Sequence, residues 1–357
     1  MPGGKKIIIL LCLFICGAKL FAQAPGHVIE EKQTGAFKLS VYLPPGYDSA
    51  KQYKVLYFND GQTIFGETGL RVEATANELI GKNLMEPVII VGIHSDENRT
   101  GNYLPYKDRG VSTDFGAYTP NAAGYSAKII NQIIPFIEKL YKTNVKRGIA
   151  GYSFGGLHAT WMALNHPEYF SFSGSLSPSY WVNDFKIFDE AHKARPEQTH
   201  YFDMGTGEWN YIVPMLLHIK LPILQKVFYY EDFGGRHIID DWRGTRIRNI
   251  LLLFSGNTNL TAYTWEINKQ VIKSAATGKF YLRINPVITY SNGLTCSAGY
   301  AATFTLLNPD DGVVNTDGSF RFTNPKNLKV KVVIYEEEKE ITIDYNEVEK
   351  IKLLLGG

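Results

Sequence analysis

The sequence predicts an α/β fold built on a mostly parallel central sheet, followed by a small all-β, sandwich-like C-terminal region. Three observations lead there. Residues 55–58 and 88–92 are continuous apolar runs, as strands buried on both faces should be. Residues 147–150 are a short, mostly apolar lead-in to Gly151-Tyr152-Ser153-Phe154-Gly155, and 157–164 are helix formers with no breaker until Pro167. That order reads as strand, tight turn, helix. Beyond residue 258 the chain turns rich in threonine, valine and aromatics, in short alternating runs separated by turn signals. At 357 residues with 45% hydrophobic content, the chain can fill one large core and a smaller one.

The N-terminus has the pattern of a targeting segment. Lys5-Lys6 precede the apolar run 7–16, and Leu20-Phe21-Ala22-Gln23 offers a small residue for cleavage. Cleavage after Ala24 would put Pro25 first, so cleavage after Ala22 is expected. The apolar run is too short for a stable membrane span. Cys12 and Cys16 lack the small preceding residue of a lipidation site, which sets the lipoprotein reading second. The expectation is an exported protein, periplasmic or secreted, with residues 1–22 as signal peptide. Losing Lys5, Lys6 and Lys19 moves the net charge from +2 to about −1, which leaves no electrostatic footprint for nucleic acid. Cys296 is then the remaining cysteine, so no internal disulfide is available and packing must supply stability.

Next along the chain, 37–43 alternates like a strand and stops at Pro44-Pro45-Gly46. The segment 96–125 has no clear period and holds Gly101, Pro105, Gly110, Gly116 and Pro120; a loop that long reads as a lid or wall. Residues 123–141 have helical spacing, with Pro135 kinking or dividing the helix. In the last hundred residues, 279–284, 302–306, 330–335 and 340–344 read as strands, and the acidic run 336–340 as a solvated hairpin tip. Asp310, Asp311 and Asp317 raise calcium, but Asp-Gly turns between strands are the commoner source of that pattern.

The Gly-x-Ser-x-Gly turn carries the chemistry. A serine on a strained strand-to-helix turn is held clear of its neighbours, and the next N–H, that of Phe154, lies at a helix N-terminus where it can face an oxyanion. A Gly-rich turn that merely contains a serine is the plainer reading, and two downstream features weigh against it. Residues 200–210 read as a short strand ending in a glycine loop with two carboxylates, Asp203 and Glu208. Asp203 lies within the strand and Glu208 beyond its end, where loops carry function, which favours Glu208. Residues 227–233 form an aromatic strand, and Gly234-Gly235-Arg236 turn out of it to His237. A histidine on a glycine turn at a strand end can swing toward a nucleophile on a neighbouring strand. The order serine, acid, histidine is that of serine hydrolases on this type of sheet. His158, one turn into the elbow helix, reads as structural.

These stretches resemble the Putative esterase family of α/β-hydrolases, which includes esterase D, enterochelin-type siderophore esterases, feruloyl and acetylxylan esterases and mycolyltransferases. Residues 55–65 resemble its Y-x-x-D-G-Q-x-x-F strand and loop, and 87–93 its second central strand. Residues 168–181 resemble its P-x-x-F and S-P-S-x-W segment. Gly205-Thr206-Gly207-Glu208 and Gly235-Arg236-His237 resemble its acid and histidine loops. The likeness spans about residues 36 to 254. One departure is the bulky Arg236 before the histidine. The resemblance implies an α/β-hydrolase fold and a Ser153–His237–Glu208 triad, with no metal or other cofactor.

The second oxyanion donor should come from the loop after the third strand, where Gln62 is the candidate beside Phe154. Tyr180, Trp181 and Trp209 stand in loops expected to ring the serine, and aromatic walls suit an aryl acyl group or a sugar face. Trp242, on a helix, is expected to pack. The expected substrate is a small-molecule or polysaccharide ester, by resemblance to carbohydrate esterases of feruloyl or acetylxylan type. A siderophore trilactone is the alternative, and a degenerate binding or structural protein a third reading, against which the intact Ser, Glu and His stand. The expected division is 1–22, an esterase domain over 23–255 and a β-rich accessory domain over 256–357, which would aid attachment to polysaccharide.

Overall fold

The computed structural model describes residues 27–208, 226–257, 260, 262–273, 278–299 and 301–356. The leader segment and Trp209 therefore lie outside the described residues. The main sheet has eight strands: β1 (His27–Thr34), β2 (Phe37–Leu43), β3 (Tyr53–Asn59), β4 (Val88–Ile93), β5 (Thr143–Tyr152), β6 (Phe172–Leu176), β7 (Thr199–Gly205) and β8 (Val227–Asp232). Their order is β1-β2-β4-β3-β5-β6-β7-β8. β1 and β2 pair antiparallel, β2 pairs antiparallel with β4, and every later pairing is parallel. The continuous apolar runs explain the parallel block. All six residues of β4 are buried, and β3 is buried from Val55 to Asn59, because helices cover both faces. In such a sheet, loops at the carboxyl ends of the strands meet in one place.

The segment 96–125 is not structureless. It contains two short helices, Arg99–Tyr103 and Arg109–Asp114, and buries Tyr103, Leu104 and Val111. The helix expected over 123–141 is divided, as Pro135 requires: Ala122–Lys128, a π-turn at Ile129–Ile133, then Ile134–Leu140 with the proline in its first turn.

The C-terminal region holds β9 (Tyr263–Lys273), β10 (Phe280–Tyr290), β11 (Thr295–Ser297), β12 (Ala302–Leu306), β13 (Gly312–Val314), β14 (Phe320–Phe322), β15 (Leu328–Ile334) and β16 (Glu337–Ile343). They form antiparallel sheets β11-β10-β9, β12-β15-β16 and β13-β14. Two expectations are corrected. The acidic run forms the hairpin tip only at Glu336: the turn falls at 335–336, and Glu337, Glu338 and Glu340 lie on β16, opposite β15, exposed along the strand. The region also ends in a helix, Tyr345–Leu354, whose N-cap Asp344 accepts the Glu347 N–H.

One apolar cluster runs through both regions. It joins Leu56, Ala150, Ile250 and Leu251 to Trp265, Ile284, Ile288 and Val330. Polar contacts cross the same seam. Ser297 Oγ accepts the Glu231 N–H at 2.9 Å, Asn249 Oδ1 accepts the Thr295 N–H at 3.0 Å, and Arg283 forms a buried ion pair with Glu231. Glu231 belongs to β8, the strand that feeds the His237 turn.

Candidate active site

Ser153 follows β5 directly, with φ 56° and ψ −124°, and the elbow helix Phe154–Asn165 starts at the next residue. A non-glycine residue with positive φ carries strain that the surrounding structure must hold. Gly151 shows why the turn is glycine-flanked, since a Cβ there would lie 2.5 Å from the Gly155 carbonyl oxygen. Ser153 N–H donates to the Leu176 carbonyl at 3.0 Å, and its own carbonyl accepts from Ser179 N–H at 3.1 Å. The turn is thus pinned to the end of β6. Its Oγ is half-buried and 3.4 Å from Ser179 Oγ. The Phe154 N–H, at the first helical position, has no carbonyl within its helix to bond.

The loop after β3 packs against this turn. Asp60 adopts a left-handed conformation (φ 59°, ψ 44°), and Thr63 Oγ1 lies 3.0 Å from the Tyr152 hydroxyl. Gln62 is exposed, and its amide is held by Ser95: Nε2 donates to Ser95 Oγ at 2.7 Å and Oε1 accepts the Ser95 N–H at 3.1 Å.

The acid and histidine loops touch through glycines. A Cβ on Gly205 would lie 2.0 Å from the Gly235 carbonyl oxygen, so these two backbones meet only because Gly205 has none. Gly207 N–H donates to Gly235 O at 3.0 Å, and Gly234 N–H to Thr206 Oγ1 at 2.8 Å. This zipper brings Glu208 Oε2 to 2.6 Å from His237 Nδ1. The glutamate side chain is 1% exposed and the imidazole 45%. Asp203 is placed differently. It is fully buried, accepts from Ser177 N–H at 3.0 Å and Tyr201 hydroxyl at 2.8 Å, and pairs with Arg246. Arg236 turns away from the site to Asp241, 2.9 Å from Nε, so the bulky residue leaves the histidine unobstructed. Among the described residues, Ser153 Oγ and His237 share no hydrogen bond.

Arg246 is 1% exposed, and Asp203, Glu208 (3.8 Å) and Asp232 (3.8 Å) surround it. Burial alone would lower its pKa; Asp203 and Glu208 hold it above its ordinary value. Burial pushes the Asp232 carboxyl up to about 6, against the pull of Arg246. His158 is fully buried between Asn59 and Ser126, and burial drives its pKa down to about 3, which leaves it neutral and structural.

The aromatic expectations divide. Tyr180 is corrected: it is fully buried, its hydroxyl bonded to Thr160 and its ring edge-on to Phe202, so it packs the core and lines no surface. The S-P-S turn carries it inward, which adjacency in sequence does not show. Trp181 is half-buried, its ring 6.3 Å from that of Phe154. Trp242 is buried, as expected of a packing residue. It stacks 4.6 Å over Tyr152 and meets His237 edge-on at 5.0 Å.

Sequence reading missed Arg99, Phe115, Ser177 and Arg246. Arg99 makes a two-pronged ion pair with buried Asp60 (2.6 and 2.8 Å) and lies over the rings of Tyr103, Tyr152 and Phe154. Phe115, exposed, contacts Phe154 edge-on at 5.1 Å. Both come from the aperiodic segment, where no spacing marks them. Arg246 had a faint signal, as a charge within the apolar helix Thr245–Ser255.

Known proteins resemble this chain in sequence or in fold. The chain is 30% identical over 160 residues to Uncharacterized protein YbbA of Bacillus subtilis, which covers 44% of this chain and 62% of that protein. It is 28% identical over 186 residues to Endo-1,4-beta-xylanase/feruloyl esterase of Xylanibacter ruminicola, covering 47% and 22%. It spans less than two thirds of the length of these relatives. Among solved structures, an IroE-like serine hydrolase from Shewanella oneidensis superposes with TM-score 0.53 at 18% identity over 63% of this chain and 79% of that one. The enterobactin esterase FES from Shigella flexneri superposes at 0.51 and 18% over 64% and 59%. At such identities the likeness establishes the α/β-hydrolase fold. The Putative esterase family pattern matches residues 32–217, a stretch that includes Ser153 and Glu208, and the chain belongs to that family.

Proposed function

We propose that this protein is an exported serine esterase that cleaves carboxylic esters through Ser153, His237 and Glu208, and that its substrates are feruloyl- or acetyl-type esters of carbohydrate. The observations that carry the reading are a strained Ser153 (φ 56°) after β5 and a Glu208–His237 pair at 2.6 Å after β7 and β8, all at the carboxyl ends of parallel strands of one sheet. His237 Nε2 takes the proton of Ser153 Oγ as the oxygen attacks the ester carbonyl. Glu208 fixes the tautomer with Nδ1–H and stabilises the imidazolium. The N–H groups of Phe154 and Gln62 receive the oxyanion. Binding of substrate closes the Ser153–His237 arm, as it does in hydrolases whose free form is loose.

The aryl preference rests on Phe154, the residue after the serine, whose ring meets those of Phe115 and Trp181. It is supported by the xylanase/feruloyl esterase relative. Arg99 over Phe154 and Tyr152 would also suit a catecholate acyl group, which keeps a siderophore trilactone as second substrate class. Export rests on Lys5-Lys6 and the apolar run that follows. A panel of nitrophenyl acetate, methyl ferulate, acetylated xylan and ferric enterobactin tests the reading. Turnover of methyl ferulate or acetylated xylan well above ferric enterobactin is expected. Hydrolysis of none of the four would refute the esterase assignment.

A further inference from the structure

The geometry points to Ser177 as a positioning residue that sets the Glu208 carboxylate for His237. This rests on the triad reading above and adds a fourth side chain to it. Ser177 closes β6 and is fully buried. Its Oγ has three polar neighbours: Trp242 Nε1 at 2.8 Å, Arg246 Nη2 at 2.6 Å and Glu208 Oε1 at 2.5 Å.

The hydrogen-bond inventory fixes the direction of all three bonds. An indole N–H and a guanidinium can only donate, so both must fill the lone pairs of the hydroxyl oxygen. One hydrogen remains, and Glu208 is the acceptor in reach. The Ser177 proton is therefore forced onto Oε1. Gly205 N–H donates to the same oxygen at 2.9 Å. With Oε1 taken by two donors, Oε2 is left for His237 Nδ1. A carboxylate that could otherwise rotate is locked with one oxygen outward.

Three further facts fit a built arrangement. Ser177 has φ 41°, a left-handed conformation that a serine keeps only where its surroundings demand it. Its backbone N–H holds Asp203 Oδ1, so one residue separates the two buried carboxylates, the main chain taking Asp203 and the side chain Glu208. The donor that orients its hydroxyl, Trp242, also packs against the His237 ring. Acid, hydroxyl and histidine are thus tied to one indole.

The test uses Ser177→Gly in the full chain. Glycine accepts a positive φ without strain, so this variant removes the hydroxyl without a backbone penalty. The thermal midpoint should fall, because the buried Trp242 Nε1 and Arg246 Nη2 lose an acceptor, so kcat is read per folded molecule at a temperature where both proteins are folded. Expected is a fall in kcat of about 10²-fold with KM little changed, the cost of a catalytic group displaced by about an ångström. The far-downfield proton resonance of His237 Nδ1–H, read without substrate, should shift or vanish. Trp242→Phe keeps the ring but frees the hydroxyl, and should lose kcat in the same direction by a smaller factor. Should Ser177→Gly fail to fold, Ser177→Ala and Trp242→Phe carry the same readouts. Wild-type kcat with an unchanged resonance, or a loss confined to KM, would overturn the proposal. If the wild-type chain hydrolyses no ester, the triad reading fails by itself, and the resonance still reports whether Ser177 sets Glu208.

Discussion

Two arginine–carboxylate pairs are buried on either side of β8, and they are built differently. On the site side, Arg246 pairs with Asp203, and its neighbour Ser177 passes a hydrogen bond on to Glu208. On the C-terminal side, Arg283 pairs with Glu231, with Ser297 and Asp317 as further partners. Around the first pair the hydrogen bonds converge on one serine hydroxyl whose proton has one destination. Around the second, among the described residues, Glu231 Oε1, Asn285 Oδ1 and both Gln270 amide atoms have no hydrogen-bond partner; in the first, Arg246 Nε and Nη1 have none either, although its Nη2 serves both Asp203 and Ser177. A buried pair of either kind contributes little net stability, yet breaking it is costly because an uncompensated charge remains. The difference teaches that burial of charge marks two jobs: orientation at the site, and attachment of the C-terminal sheets to the strand that leads into the His237 turn.

The largest contrast is expected between the two acids of the site side. Glu208→Gln should lower kcat by on the order of 10³ to 10⁴, while Asp203→Asn, whose carboxylate faces Arg246, Ser177 N–H and Tyr201, should act mainly through stability. Steady-state kinetics and thermal melts on the same preparations separate them. A crippled kcat in a well-folded Asp203→Asn, with a mild Glu208→Gln, would reverse the assignment.

Across β8, Arg283→Met should destabilise the fold by roughly 3–5 kcal/mol, since it leaves Glu231 buried and charged with the Tyr229 hydroxyl but without its cation. Denaturant titration reads this, and kcat per folded molecule should hold. The same seam bears on the accessory-domain expectation. A chain cut near Ser255 loses Arg283, Ser297 and Thr295, and it exposes Met204, which packs on Ile272. Such a truncate should be insoluble or inactive even on nitrophenyl acetate. A soluble truncate with full activity would show the seam to be dispensable and restore the attachment role.

The smallest expected effect is at Asp232, between the two pairs. Its folded pKa of about 6 exceeds its ordinary 3.8. A raised carboxyl pKa contributes stability below the unfolded value and loses it as pH rises through the folded one. At pH 7 the ionised group is therefore a burden. Asp232→Asn should raise the thermal midpoint modestly at pH 7, and the gain should disappear by about pH 4. A gain that persists at pH 4 would mean that charge is not the cause.

Much of the central architecture was legible because parallel strands and the elbow are local patterns. Residues 88–92 are apolar throughout, and Gly151 and Gly155 flank Ser153. The glycines of 205–207 and 234–235 marked the two loops, although their contact at Gly205 and Gly235 is a matter of tertiary approach. What escaped was non-local or short. Ser177 meets Trp242 and Arg246, residues more than sixty positions away. The helices Arg99–Tyr103 and Arg109–Asp114 are too short to show a period. The final helix did carry a signal, the Asp344-Tyr345-Asn346-Glu347 capping pattern, which the strand-like surroundings outweighed.

The measurement closest to the central claim is mass spectrometry of the protein after reaction with a fluorophosphonate, alone and in competition with methyl ferulate. The account predicts a single adduct on the peptide that contains Ser153, slowed by the ester, absent from Ser153→Ala at an unchanged melting temperature, and strongly slowed in Glu208→Gln. Labelling elsewhere, or normal ester turnover by Ser153→Ala, would contradict it.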